Sequence, residues 1–561
     1  MRTSRTIAAI ASAILAAGGL TACGGSSGSS AKSGASGGSS SGVLNIGMPN
    51  GPQSDNNNPF LSSAAANSLG YKNVIYEPLV MTNVVQPAQA GKPWLATAWT
   101  WSNNYQKLVL TIRNGVTWSD GQPLTAADVA YTFNLIKGNA ALNSFAIHFG
   151  DITTSGNTVT LTFPSSQYVY QTHIISQFIV PQHIWSKMSN PATDADTNPI
   201  GSGPYTLTHF TSQTVTLTRR ASYWQTLPAP KTLNYTSYSS NTTQLSAMTD
   251  GDSDWTFEFI PNPSVTYTAK DAKHLQLWFP AVLGIHGLWI NTTIKPFDNA
   301  NLRKAINDVI NRQTIVKTGE DGYFYPTVAS NTGIPTPAGT SFIQGAYTSA
   351  NANVDVNAAK ALISGTAGFT YSGSNLMYNG KAVTLNLSDP AGWSDYDTDL
   401  TLIQNDLAQI GIKATVSQPN ANTWTTDVAN GNFQAVLHWT NSGSTPYDIY
   451  ESILDGAQYA PIGKTANENF ERYNNPAATA ALNAYASAAT DSARNTALST
   501  LEGIMVNDMP IIPIMAANAG GEFSTKDWTG WPSDSNPYAP AQPTLINSLD
   551  IIEHLQPASG S

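Results

Sequence analysis

The sequence predicts an α/β protein built on mixed sheets, and three observations carry that reading. Segments such as KLVLTIR at 107–113 and QTVTLTR at 213–219 alternate apolar and polar residues with the two-residue period of half-buried strands. They are interleaved with stretches whose apolar residues recur at helical spacing, the order expected of βα units. Beyond residue 22 no apolar run approaches the roughly 18 residues of a membrane helix, and mean hydropathy is −0.18, which argues against a polytopic membrane protein.

Composition narrows the class. Only 11% of the 561 residues are charged, against about 25% in an average soluble domain. With 41% hydrophobic residues and 14 Trp, 23 Tyr and 17 Phe, the chain has ample core material and is not a disordered polymer. Its length suits roughly two to four domains. A net charge of −10 without any Lys/Arg cluster argues against a nucleic-acid partner.

Taken from the N-terminus, residues 1–22 read as a secretory signal. Arg2 and Arg5 precede an apolar stretch at 7–17 that is too short for a permanent anchor. The signal ends in Leu20-Thr21-Ala22-Cys23, which resembles a bacterial lipobox and makes Cys23 the expected lipid acceptor. Cys23 is the single cysteine, so no intramolecular disulfide is available. Residues 23–42 form a Gly/Ser tether with the composition of a flexible coil. A G-x-S-x-G match at 24–28 falls in this tether, without the strand and helix that a nucleophile elbow needs.

From residue 43 the composition is globular. VLNIGMP at 43–49 predicts a first strand, and 61–79 a mostly helical segment. The strand at 107–113 leads to WSDGQPLTAADVAYTFNLIK at 118–137. There Asp120-Gly121 predicts a turn, and Thr125 the cap of a helix with Val129, Phe133 and Ile136 on one face. Alternation returns at 157–163 and 213–219. The second half predicts helices at 299–317, 354–363, 396–410 and 476–506, with strands at 382–387, 412–416, 433–438 and 511–515.

VTWSDGQPLTAADVAYTFNLIK at 116–137 resembles the signature of family 5 solute-binding proteins, which serve ABC importers. IVPQHIW (179–185), GSGPYTLT (201–208), LWINTTIKPFDNANLRKAINDVINRQTIV (288–316), IMVNDMPIIPIM (504–515) and EFSTKDWTGWPSDSNPYAP (522–540) follow in the family's order. The resemblance spans nearly all of 43–555. It implies a two-lobe, type II periplasmic-binding-protein fold with an extra subdomain inserted in the N-terminal lobe. Lobe I would comprise 43–85, 200–288 and 512–556, the inserted subdomain 86–199, and lobe II 289–511. The hinges would lie near 285–292 and 508–514. Asp120, Gly121, Asp128, Gly201, Gly203 and Pro204 are then structural residues.

The implied function is an extracytoplasmic receptor, held at the outer face of the cell membrane by the lipid on Cys23. It would work as a monomer, without cofactor or metal, closing its lobes on an oligopeptide or a neutral oligosaccharide and delivering it to ABC permease subunits. A secreted glycosidase-like enzyme and a solute sensor without transport are the alternatives. Catalytic constellations are sparse. The eight histidines include no pair at metal-ligand spacing. Gly463-Lys464-Thr465 lacks the first glycine of a P-loop, since position 458 is Gln. Asp250, Asp252 and Asp254 start a calcium-loop spacing that Trp255 breaks.

Ligand candidates concentrate in lobe II. Oligopeptide-binding relatives carry an Asp that pairs with the peptide's α-ammonium; the corresponding position here is Ser442, preceded by Asn441. An unpaired buried ammonium is costly, so an amide and a hydroxyl favour a neutral, hydroxyl-bearing ligand. Asp448, with Tyr447 beside it, is the nearest acid that could substitute. Trp289, Trp393, Trp424 and Trp439 offer indole faces on which sugar rings could stack. Asn291, in LWINTT, is expected where the chain crosses the cleft.

Overall fold

Alternation at the start of the body produces a buried strand. In Val43–Met48 the side chains of Leu44, Ile46 and Met48 face inward. The strand pairs in parallel with Thr232–Ser237 on one side and Trp255–Thr256 on the other. Thr214–Arg219 and then Tyr205–Phe210 extend the sheet in antiparallel fashion on the first side; Gly521–Ser524 and Leu275–Trp278 do so on the second, giving seven strands. These coordinates are a computed structural model that describes residues 42–558 apart from 62, 146, 392 and 420. The signal segment, Cys23 and tether residues 23–41 lie outside the described residues.

A second sheet of five strands forms the other lobe, in the order Lys413–Ser417, Thr384–Ser388, Ala435–Trp439, Ala281–Ile290 and Ile511–Asn518. Its three central and return strands, Ala435–Trp439, Ala281–Ile290 and Ile511–Asn518, are almost wholly buried, whereas Thr384–Ser388 and Lys413–Ser417 alternate buried with exposed or half-buried positions. Leu288, Ile290, Leu385, Leu387 and Leu437 pack against the helices Ala300–Asn307 and Ser394–Ala408. Ile285, Trp289 and Val436 pack on the opposite face against Tyr447–Leu454, Pro476–Ser487 and Asp491–Asp508.

The inserted subdomain is a four-stranded antiparallel sheet, Ala96–Ser102, Lys107–Ile112, Thr158–Thr162 and Ile152–Ser155, with the helix Ala126–Gly138. Thr125 caps that helix: its hydroxyl accepts from the Ala127 amide, and the Asp128 carboxylate accepts from the Thr125 amide at 2.8 Å. The subdomain is fastened to lobe I by Glu77, which is fully buried. Its carboxylate accepts from Trp94 Nε1 at 2.8 Å, Trp224 Nε1 at 3.0 Å and the Tyr223 hydroxyl at 2.5 Å.

The structure departs from the sequence pattern where tertiary contacts intervene. Segment 61–79 contains only the single turns Ala65–Ser68 and Lys72–Ile75, because Gly70 has φ +89° and lies against the Pro543 carbonyl. The stretch 476–506 is two helices, the second capped by the Thr490 hydroxyl. The predicted helix at 299–317 ends at Asn307, and a π-helical turn at Ile315–Gly319 follows. The crossings between sheets also differ from the expected hinges. The first sheet ends at Trp278 and the second starts at Ala281; on the return, the second ends at Asn518 and the first resumes at Gly521. The linkers are therefore 279–280 and 519–520, joined by a hydrogen bond from the Ala519 amide to the Pro280 carbonyl at 3.1 Å. Residues 281–288 and 512–518 belong to the second sheet.

Two buried arginines clamp the second crossing strand. Arg303 donates to the carbonyls of Phe297, Asp508 and Met509, and Arg312 donates through Nε to the Pro513 carbonyl at 2.7 Å. Arg303→Met leaves three carbonyls without a donor in a buried setting. The expected loss is about 3 kcal/mol or more, read as a lowered denaturation midpoint; a variant as stable as the parent would refute the clamp.

Candidate functional site

The strands Thr384–Ser388, Lys413–Ser417 and Ala435–Trp439 run parallel, so their carboxyl ends lie at one edge of the second sheet. In open α/β sheets that edge is where ligands bind. Each strand delivers a tryptophan there: Trp393 follows the first, Trp424 the second, and Trp439 ends the third. The rings meet. Trp393 lies 5.4 Å from Trp424 and 6.3 Å from Trp439, and Trp424 lies 6.2 Å from Trp439 at an interplanar angle of 28°. The His438 ring stacks on Trp439 at 4.4 Å and faces Trp424 at 5.6 Å. Trp424 is buried and its indole N–H donates to the Ser388 carbonyl at 3.3 Å. Trp439 is 40% exposed, an unusual state for an indole, and Trp393 is half-buried.

Beside Trp424 lies a cavity of about 400 Å³ whose polar lining is Asn386, Ser388, Ser417, Gln418, Asn432 and one acid, Asp427, with Phe433 and Val436 among its apolar residues. Strand register places Asn386 opposite Thr415 and Ser388 opposite Ser417. The Ser417 hydroxyl donates to Asn386 Oδ1 at 3.0 Å, and Asn386 Nδ2 donates to Thr415 Oγ1 at 3.2 Å. An aromatic wall thus meets a row of amides and hydroxyls.

Several ionisable groups packed behind the tryptophans are held neutral. Burial lowers His438 to about 4, and burial, together with the His438 charge, lowers His286 to about 3, so both are neutral imidazoles near pH 7. His286 Nδ1 is hydrogen-bonded to the Tyr396 hydroxyl, and its ring packs on Tyr325 at 4.1 Å. Glu320 and Asp399, both fully buried, are pushed well above the usual carboxylate range by burial and remain protonated. Buried guanidinium groups of this lobe on Arg303, Arg312 and Arg472 donate to backbone carbonyls, and that of Arg494 pairs with Asp491.

Other residues singled out from the sequence lie elsewhere. Trp289 is 1% exposed and sits in the core behind the group, 5.6 Å from the His438 ring. Asn291 is equally buried. It donates to the carbonyls of Gly431 and Phe433 and accepts from Thr293, so it braces a turn instead of facing a cleft. Asn441 is exposed, and its amide donates to Glu468 at 2.9 Å. Ser442 lies over Gly284 so closely that a Cβ there would sit 2.0 Å from its hydroxyl.

Tyr447 and Asp448 belong to a contact between lobe II and the inserted subdomain. His173 Nε2 is 3.1 Å from Asp448 Oδ1, the Tyr170 hydroxyl donates to Glu451 at 2.5 Å, and the Thr172 hydroxyl donates to Ser444 at 3.1 Å. The Arg494 guanidinium covers the Tyr168 ring at 3.9 Å, and Tyr447 packs against Tyr170 at 6.0 Å. Asp448 therefore spends one oxygen, Oδ1, across the lobe boundary, while its Oδ2 is buried without a hydrogen-bond partner among the described residues. Sequence reading did not single out Tyr168, Tyr170 or His173. Their only signal is an aromatic spacing, YVYQTH, that has no partner in its own sheet.

Buried carboxyls make stability pH-dependent. Burial raises Glu451, Glu468 and Glu502 to about 7 and Glu553 to about 8. The native chain then holds protons that the unfolded chain releases near 4.5, so this stabilisation is full below pH 4.5 and is lost as pH rises through 7 to 8. His286 and His438 act in the opposite sense, but only below about 6.5. The melting temperature is expected to fall between pH 6.5 and 8.5; a flat or rising profile would contradict the buried, protonated state of these acids.

Comparison with known proteins agrees with this architecture. Oligopeptide-binding protein OppA of Bacillus subtilis is 24% identical over 449 residues, covering 74% of this chain and 77% of that protein. The periplasmic oligopeptide-binding protein of an oligopeptide ABC transporter from Thermotoga maritima superposes with a TM-score of 0.84 at 24% identity, over 92% of this chain and 99% of that one. Its mannohexaose-bound form superposes with a TM-score of 0.78 at 23% identity and the same coverage. These likenesses establish the two-lobe type II fold. Residues 91–461 match the bacterial extracellular solute-binding proteins, family 5. The chain therefore belongs to that family, the extracytoplasmic solute-binding proteins of ABC importers.

Proposed function

We propose that this chain is a lipid-anchored receptor that captures a neutral oligosaccharide and delivers it to an ABC permease. The observation that carries the reading is the convergence of Trp393, Trp424 and Trp439 at the carboxyl ends of three parallel strands, beside a cavity walled by amides and hydroxyls. Indole faces match the C–H faces of sugar rings, and Asn, Gln and Ser side chains match their hydroxyls as both donors and acceptors. The neutral imidazoles and the protonated Glu320 add no charge behind the tryptophans, and the cavity lining holds one acidic side chain, Asp427, and no basic one. The mannohexaose-bound relative supports this reading; the oligopeptide-binding names of the relatives support a peptide instead.

No bond is made or broken in the proposed cycle. Ligand bound to the lobe II tryptophans favours the arrangement in which Tyr170, Thr172 and His173 meet Glu451, Ser444 and Asp448, and that closed shape is what a permease would read. The Cys23 lipid would hold the receptor at the membrane.

A panel of manno- and cello-oligosaccharides and of tri- to hexapeptides separates the ligand classes by thermal shift, since a ligand bound only by the native state raises the melting temperature. Oligosaccharides are expected to raise it, and Trp439→Ala to weaken that binding about tenfold. Stabilisation by peptides alone would end the sugar reading, and release of shorter sugars from the mixture would replace it with a glycosidase. Cys23→Ser is expected to move the protein from the membrane fraction to the medium; retention at the membrane would refute the anchor.

A further inference from the structure

Lobe I and the inserted subdomain enclose a second cavity, of about 320 Å³, that the proposed ligand site does not use. Its wall is aromatic, with Phe60, Phe133, Phe145, Phe149 and Phe178. Phe60 packs on Phe178 at 4.7 Å and Phe133 on Phe149 at 5.7 Å. Phe145 stacks on His173 at 3.9 Å and stays 39% exposed.

One side chain does not match this lining. Lys72, at the start of Lys72–Ile75, brings an ammonium to the wall. Its Nζ lies 5.3 Å from the centroid of the Phe178 ring, and among the described residues it meets neither a carboxylate nor a hydrogen-bond acceptor. Burial lowers its pKa to about 8, which leaves it mostly charged at neutral pH.

The other polar side chains of the wall are occupied or exposed. Asn67 donates to the carbonyls of Asn58, Pro59 and Leu61. Asn143 holds both backbone groups of Ile147. Ser176 donates to the Thr172 carbonyl, Gln177 to the Phe178 carbonyl, and His173 is paired with Asp448. Ser144 is exposed. Lys72 is half-buried, and the Phe178 ring face attracts its ammonium without supplying a counter-charge. The cavity therefore combines a large apolar wall with a single uncompensated positive charge.

We propose that this cavity is a binding site for a small amphipathic carboxylate, its phenyl or short alkyl body against the phenylalanines and its carboxylate on Lys72. The volume is at the lower end for small-molecule sites, which fits a body the size of a phenyl ring or a medium-chain acid.

Titration calorimetry on the full chain tests this with 3-phenylpropionate and octanoate, and with uncharged 3-phenylpropanamide as the control. Both acids are expected to bind, and the amide to bind at least about tenfold more weakly than 3-phenylpropionate. Lys72→Met should lose about tenfold or more in acid affinity, bind the amide as before, and melt at a higher temperature than the parent when empty, because an uncompensated charge has been removed. Trp439→Ala should bind the acids like the parent, so this site stands or falls separately from the sugar site. No heat with either acid at millimolar concentration, equal binding of acid and amide, unchanged acid binding by Lys72→Met, or a lower melting temperature of that variant would each overturn the proposal.

Discussion

The chain passes between the two lobes only twice among the described residues, and both passages run side by side. Ala281–Ile290 and Ile511–Asn518 pair antiparallel, with Leu288 opposite Ile512 and Trp289 opposite Ile511. The pairing has no room for a side chain at residue 287, where a Cβ would sit 2.4 Å from the Ile512 carbonyl. Everything in the second lobe is built outward from this pair: Ala435–Trp439 adds to one side, and Arg303 and Arg312 fix the backbone at 508–513. Two short linkers joined by a backbone hydrogen bond leave the lobes few ways to move, and rotation about that line is the natural one.

Contacts across the lobe boundary are of a different kind. They join polar pairs, phenol to carboxyl, hydroxyl to hydroxyl and imidazole to carboxylate, to aromatic packing of Phe257 and Phe259 on Phe324 at 5.6 and 5.5 Å. Each such bond contributes about 0.5–1.5 kcal/mol net. A ligand that binds the closed arrangement better shifts the lobes toward it by its difference in affinity for the two arrangements. The hydrophobic contacts of Glu77's neighbours, by contrast, make the inserted subdomain a fixed part of lobe I.

Much of the fold was legible because it is local. Thr125 capping, the Asp120-Gly121 turn and the strands at 43–48 and 384–388 follow from residue type and period. Gly201 and Gly203 stand where a Cβ would meet the carbonyls of Ile75 and Val74 at 1.9 and 2.2 Å, which accounts for their place in the family signature. The linkers were misplaced by several residues because the apolar run at 281–290 carries no local mark of where one sheet ends and the next begins. The segment at 61–79 misled for a related reason: Gly70 answers to a carbonyl more than 470 positions away in sequence.

The candidate site divides in the same way. Four tryptophans near the second lobe could be named from sequence, but any of them could have been core. Only the packing put Trp393, Trp424 and Trp439 together at the strand ends, opened Trp439, and sealed Trp289 and Asn291 inside. Asp448 looked like a spare carboxylate, and only the fold shows that the inserted subdomain brings His173 to one of its oxygens across 275 positions. By itself the sequence determined the fold class and the family, because those rest on periodicity and ordered motifs. It also supplied the expectation of a lipidated N-terminus. The tertiary structure decided which aromatic faces are open and which charges lack partners, since burial and pairing depend on segments that are distant along the chain.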